Sequence, residues 1–206
     1  MIRRKGPFVG NDVVDRKSPL LAARAGDTEA VRSDWRARHL TENERRSLSA
    51  SPMFWQIFAA KEAASKALAQ AGVAVTPGAF RDFEVDLRGR RVRHVPTDLR
   101  AEIGLMETSA EAIHAVVLFP SAGGAGQGVR LAAGVAERPK DADASEAARD
   151  LLASLLANAS GGGSPGRFAV SSVDGCPTVL ESGERRDWSV SLSHAGRFVA
   201  ACAVLP

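Results

Sequence analysis

The chain has 206 residues, 45% of them hydrophobic, which is enough for one large domain or two small lobes with a sizeable core. Its 27 basic and 24 acidic residues leave a net charge of +3, a mild excess that suits acidic partners in general and singles out none. No stretch of about 18 apolar residues runs without charge, so a membrane-spanning helix is excluded, and two cysteines, Cys176 and Cys202, build neither a disulfide framework nor a metal-ligand spacing.

The basic start MIRRKGPF runs into the charged VGNDVVDRK, where a secretion signal carries an apolar stretch of about 7–15 residues. With cysteine usage that fits a reducing compartment, the expectation is a cytoplasmic protein. Phe8-Val9 leads into GNDVVD, in which Asp12 and Asp15 flank two valines and set a carboxylate at the end of a buried strand. Thr41 to Glu44 matches a capping box, so a short helix begins there. Ser51-Pro52, as N-cap and first-turn proline, introduces a longer helix over FWQIFAAKEAASKALAQAG, which Gly72 stops. The FRDFEVDL segment puts Phe83, Val85 and Leu87 on one side of a strand, Arg88-Gly89 turns, and RVRHV returns. AIHAVVLF then reads as a buried strand.

Pro120 to Gly128, PSAGGAGQG, has no large apolar anchor and reads as a linker between lobes. Beyond it, soft segments at 136–145 and 158–166 flank a helix from Asp143 to Asn158, with Ala148, Leu151, Leu152 and Leu155 at helical spacing. RFAVSSV, WSVSLS and RFVAACAV follow as strands. The endings AVVLFP and ACAVLP are alike, a weak sign of duplication.

Three segments set charged or polar groups inside apolar sequence, where an unpaired charge is costly to bury: GNDVVD, KEAASK and SLSH. Each has a plain alternative. Asp12 could be a turn aspartate; Glu62 and Lys66, four apart, could be a solvated pair worth about 0.2–0.5 kcal/mol; His194 could be an exposed hairpin residue. Ser193 and His194 cannot serve each other as nucleophile and base, because neighbours on a strand point to opposite sides. A ligand-binding turn suits them better. The arginines at 90, 91 and 93, with no tyrosine and 5% aromatics in the chain, read as a charged hairpin face rather than a nucleic-acid surface.

Together the segments resemble the 4'-phosphopantetheinyl transferase superfamily, which carries a G-x-D segment, a W-x-x-K-E-x-x-x-K helix and an S-x-S-H turn. Here these are Gly10-Asn11-Asp12, the stretch from Phe58 to Lys66 with phenylalanine near the tryptophan position, and Ser191-Leu192-Ser193-His194. HLTENERRSL, FRDFEVDLRGRRV and DGCPTV are similar to further family segments. The resemblance implies an α+β fold of two similar lobes, each a small antiparallel sheet packed with helix, related by a pseudo-two-fold axis. It divides the chain into a lobe at 1–119 bearing GND and KEAASK, a linker at 120–128 and a lobe at 129–206 bearing SLSH.

The same resemblance implies an enzyme that moves 4'-phosphopantetheine from coenzyme A to a serine of an apo acyl or peptidyl carrier protein, releasing 3',5'-ADP. Mg²⁺ would sit on Asp12 and Glu62. Asp15 is a further candidate ligand, matching an acid of the small single-lobed members; the larger members often carry an acid at the position of Val14. Glu62 or a water on the metal would take the serine proton. Lys66 would neutralise the diphosphate with help from Lys61, the Ser193-His194 turn would meet the 3'-phosphate, and Gly175 and Pro177 would shape the nucleotide pocket. The motif order is the reverse of that in two-lobed members, and the chain length favours a monomer over an oligomer that shares sites. The alternative is a coenzyme A- or carrier-binding module of the same fold without catalysis.

Overall fold

The computed structural model describes residues 7–18, 34, 36–48, 51–120, 129–173 and 175–206. Its first strand, β1 (Phe8–Asp15), is buried almost end to end. Helix α1 (Glu42–Ser47) opens on the expected capping box: Glu44 N donates to Thr41 Oγ1 at 3.2 Å and Thr41 N donates to Glu44 Oε2 at 2.7 Å. Helix α2 spans Ser51–Gln70, so Ser51 is its first residue rather than the cap before it. It ends as the sequence requires. Gly72 sits at φ 77°, its N–H donating to Ala69 O while Val73 N donates to Leu68 O, the paired bonds of a glycine-terminated helix.

Strands β2 (Phe83–Asp86) and β3 (Arg91–His94) form the expected hairpin, with Val85 opposite Val92. β4 (Leu99–Thr108) and β5 (Ala112–Phe119) complete an antiparallel sheet in the order β1-β5-β4-β3-β2. One face of this sheet packs on α2 through Ile57, Ala64, Leu68, Phe83, Ile103 and Val117.

The second half begins with β6 (Arg130–Glu137), so Ala136 and Glu137 continue a strand instead of starting a loop. Helix α3 (Ala144–Ala159) is capped by Asp143, whose carboxylate accepts from Ser145 N and Glu146 N at 2.9 Å each. β7 (Phe168–Val173), β8 (Cys176–Glu181), β9 (Glu184–Arg186), β10 (Ser189–Ala195) and β11 (Phe198–Leu205) follow. They make two three-stranded sheets, β10-β11-β6 and β7-β8-β9, where a single small sheet was expected. Leu152 and Leu156 of α3 bury against Val179, Val190 and Ala201.

Both halves share one plan. A first strand is followed by the long helix, then by a hairpin, and the last strand lies between the first and the penultimate: β1-β5-β4 in one half and β6-β11-β10 in the other. The architecture is α+β with small antiparallel sheets. The expected linker falls outside the described residues, except Pro120. β1 lies between the halves. Gly10 and Val14 face α2, while Val9 and Val13 pack on Cys202, Val204, Phe198 and Ala200 of β11.

Candidate active site

As the edge of the five-stranded sheet, β1 carries a row of backbone groups that no strand pairs, and buried groups of that kind must find partners. Side chains supply them. Serines at alternate positions of a strand face one way, and Ser189, Ser191 and Ser193 of β10 accept the amide hydrogens of Val9, Asn11 and Val13 at 2.8, 3.1 and 3.3 Å. From α2, Gln70 Nε2 donates to Val9 O at 3.0 Å and Lys66 Nζ donates to Asn11 O at 3.0 Å. Lys66 and Gln70 are four apart and so share a helix face. Gln70 also joins the halves directly, donating to Val190 O and accepting from Ser189 Oγ.

Strand and helix can approach this closely because residue 10 is glycine. A Cβ there would overlap Ala63 O and stand 2.7 Å from Ala67 N. Asp12 therefore comes to rest beside Lys66. Its Oδ1 accepts from Lys66 Nζ at 2.8 Å and from Ser193 Oγ at 2.9 Å, with the residue only 9% exposed. Glu62, one helical turn before Lys66, has its carboxyl pushed above the ordinary range by burial and by the negative charge of Asp12, with Lys66 pulling the other way. No described residue donates a hydrogen bond to that carboxylate.

Two mutually repelling carboxylates without a donor on Glu62 fit a hard divalent cation. Mg²⁺ takes one or two protein carboxylates and fills its remaining positions with phosphate oxygens and water. Among the described residues no cluster of three or more Asp, Glu, His or Cys side chains is placed to hold a metal, so Asp12 and Glu62 would be the whole protein share.

Other candidates go elsewhere. Lys61 faces away from Asp12 into the core, fully buried, with Nζ on Glu44 Oε2 at 2.5 Å and on His39 O at 3.0 Å. Burial lowers its pKa against the opposing pull of Glu44. It does not reach the cleft where diphosphate neutralisation was expected. The Asp15 carboxylate ties β1 to the β10–β11 turn: Oδ2 accepts from Arg197 N at 3.0 Å and Oδ1 accepts from the Arg197 guanidinium at 3.2 Å. Burial works to raise its pKa, and the Arg197 N–H groups outweigh that and hold it below the ordinary value. Gly196, at φ 54°, lets this contact form, since a Cβ there would stand 3.0 Å from Asp15 Cβ.

Ser193 is buried and His194 exposed, the alternation expected of strand neighbours. His194 lines a cleft of about 360 Å³ together with Lys66, Arg149, Ser172, Gly175 and Pro177. Four residues named from sequence thus meet there, from α2, β8 with its preceding turn, and β10. Arg149 was missed, because the pattern of α3 was read only for its apolar face; an arginine flanking that face near the helix start was the available signal. A larger depression of about 680 Å³ beside the β2–β3 hairpin includes Arg91 and Arg93 but none of the candidate site residues. Arg90 turns inward onto Ile103 O and Gly104 O, and Arg93 pairs with Asp98 at 2.6 Å, as a charged hairpin face would.

Behind Asp12, Asn11 and His114 are buried side by side with Nδ2 and Nε2 3.5 Å apart. Burial and the Lys66 charge lower the His114 pKa to about 4 and keep the ring neutral.

Comparison with curated proteins and with solved structures gives no match. The family model described as 4'-phosphopantetheinyl transferase superfamily matches residues 8–114, just over half of the chain. That span runs from the start of β1 into β5 and contains Asp12, Glu62 and Lys66, while the SLSH turn lies beyond it. On the extent of this match, the chain belongs to the 4'-phosphopantetheinyl transferase superfamily.

Proposed function

We propose that the chain transfers 4'-phosphopantetheine from coenzyme A to a serine of an apo carrier protein, with Mg²⁺ on Asp12 and Glu62. The observation that carries this reading is the junction of an Asp12–Glu62 carboxylate pair with a cleft walled by Lys66, Arg149 and His194. Such a cleft suits a ligand with a diphosphate at one end and a further phosphate at the other. When bound, the metal would withdraw charge from the diphosphate and stabilise the charge that develops on it.

Lys66 brings a fixed positive charge to the diphosphate end. His194 and Arg149 meet the 3'-phosphate, with Gly175 and Pro177 forming the wall beside it. Glu62 accepts the proton of the carrier serine. The serine Oγ forms a bond to the pantetheine-side phosphorus, the bond from that phosphorus to the bridging oxygen breaks, and 3',5'-ADP leaves. Lys61 has no part in this scheme, being committed to Glu44. No helix among the described residues is long and apolar enough to cross a membrane. A cytoplasmic, monomeric enzyme with pseudo-two-fold lobes at 1–119 and 129–206 belongs to the same proposal.

The test is to incubate the protein with coenzyme A, Mg²⁺ and apo carriers of fatty-acid, polyketide and peptide-synthetase type, and to weigh the carriers. At least one should gain a single phosphopantetheine, and Asp12→Ala should lower the rate by at least about a hundredfold. Coenzyme A binding without a mass gain on any carrier would identify a binding module instead.

A further inference from the structure

Ser193 has no bonding capacity left for a ligand. A hydroxyl offers one donor and two acceptor positions. Here the hydrogen goes to Asp12 Oδ1 at 2.9 Å, and the two acceptor positions take Val13 N at 3.3 Å and Lys66 Nζ at 3.1 Å. The residue is 5% exposed, and it lies on the strand face opposite to His194, which opens to the cleft. Lys66 also spends its three hydrogens here, on Asn11 O, Asp12 Oδ1 and Ser193 Oγ, so it serves the diphosphate end through its charge and not through a hydrogen bond.

Both bonds to Asp12 end on Oδ1. Among the described residues neither a hydrogen bond nor an ion pair reaches Oδ2. The carboxylate is therefore fixed in rotation by two donors from different halves of the chain, with one oxygen saturated and the other left for an outside ligand.

We propose that Ser193 is a positioning residue for Asp12: it orients the carboxylate so that Oδ2 is presented to a divalent cation, and it does not bind coenzyme A. This rests on the reading of Asp12 as a metal ligand. It separates the roles of two residues that adjoin in sequence, giving His194 to the nucleotide side and Ser193 to the metal side. Ser189, on the same serine row, supplies the internal comparison. It accepts from Val9 N and donates to Gln70, so its loss costs a similar bond between the halves while leaving Asp12 untouched.

The experiment measures Mn²⁺ binding to the full chain by electron paramagnetic resonance, and coenzyme A binding by calorimetry in EDTA. Ser193→Ala should weaken Mn²⁺ binding by about 10- to 100-fold and leave metal-free coenzyme A binding unchanged, Ser189→Ala should change neither, and Ser193→Thr should restore Mn²⁺ affinity. If Ser193→Ala instead weakens coenzyme A binding in EDTA with Mn²⁺ affinity intact, or if both alanine variants lose Mn²⁺ affinity equally, the positioning role is overturned while the transferase reading stands. A wild-type chain that binds no Mn²⁺, with or without coenzyme A, removes the metal role of Asp12 and this proposal with it.

Discussion

Burial and the Asp12 charge push the Glu62 carboxyl above the ordinary range, and two measurements follow from that. Glu62→Gln should lower transfer by about 10²–10⁴-fold, the usual reach of a positioned proton acceptor. Its folded pKa is raised, so the folded state favours the protonated form; the associated stability is full below the unfolded pKa of about 4.3 and is lost as pH rises through the folded value. In metal-free buffer at pH 7 the glutamine variant should therefore melt above wild type, with the difference vanishing near pH 4. A variant that melts below wild type at pH 7 would refute the burial argument. For Asp15 the expectation is the reverse of a metal ligand. Arg197→Ala leaves a carboxylate that is 2% exposed without its cation, and should cost about 1–3 kcal/mol in denaturant unfolding with Mn²⁺ affinity unchanged. The sequence made Asp12, Glu62, Lys66 and His194 visible because a charge inside an apolar run demands a reason. It did not separate Asp12 from Asp15, or Lys61 from Lys66. Those pairs differ only in which neighbour they meet, and Arg197 and Glu44 lie 182 and 17 residues away from Asp15 and Lys61.

At the scale of elements, local chemistry was readable where it decides the outcome alone. The Thr41–Glu44 box and the Gly72 stop each satisfy helix-end groups within a few residues, and the helices form where those signals stand. β4 and β6 were not read as strands. LRAEIGLMET is rich in helix formers and carries a register shift between Ile103 and Leu105, and RLAAGVAE is built on alanines; both become strands by pairing with β5 and β11. The alternation of Ser189, Ser191 and Ser193 is plain in the sequence, but its target is a strand 180 residues earlier. The contact of β1 with α2 gives the sharpest test here. Gly10→Ala drives a methyl group into Ala63 O, with backbone on both sides unable to yield, and should cost at least about 3 kcal/mol or prevent folding. A melting temperature within a degree of wild type would show that strand and helix are not so close.

For the molecule as a whole, the proposed site draws on both halves of one chain. Asp12 and Lys66 come from the first half and Ser193 and His194 from the second, joined by hydrogen bonds within the chain. Co-refolding the Asp12→Ala and His194→Ala proteins should therefore restore no activity, because every chain keeps one defect. Recovery well above the single variants would mean that chains exchange halves or share sites. The serine row has one more consequence, and it concerns solubility. Without the second half, β1 would show solvent an eight-residue, valine-rich edge whose Val9, Asn11 and Val13 amides offer a template for any passing strand. The serines engage those amides with single hydroxyls instead of a continuous backbone, so they occupy the edge without extending the sheet. The second half thus guards the first against cross-strand aggregation, and a chain nicked between the two halves would be expected to precipitate through β1 when they part.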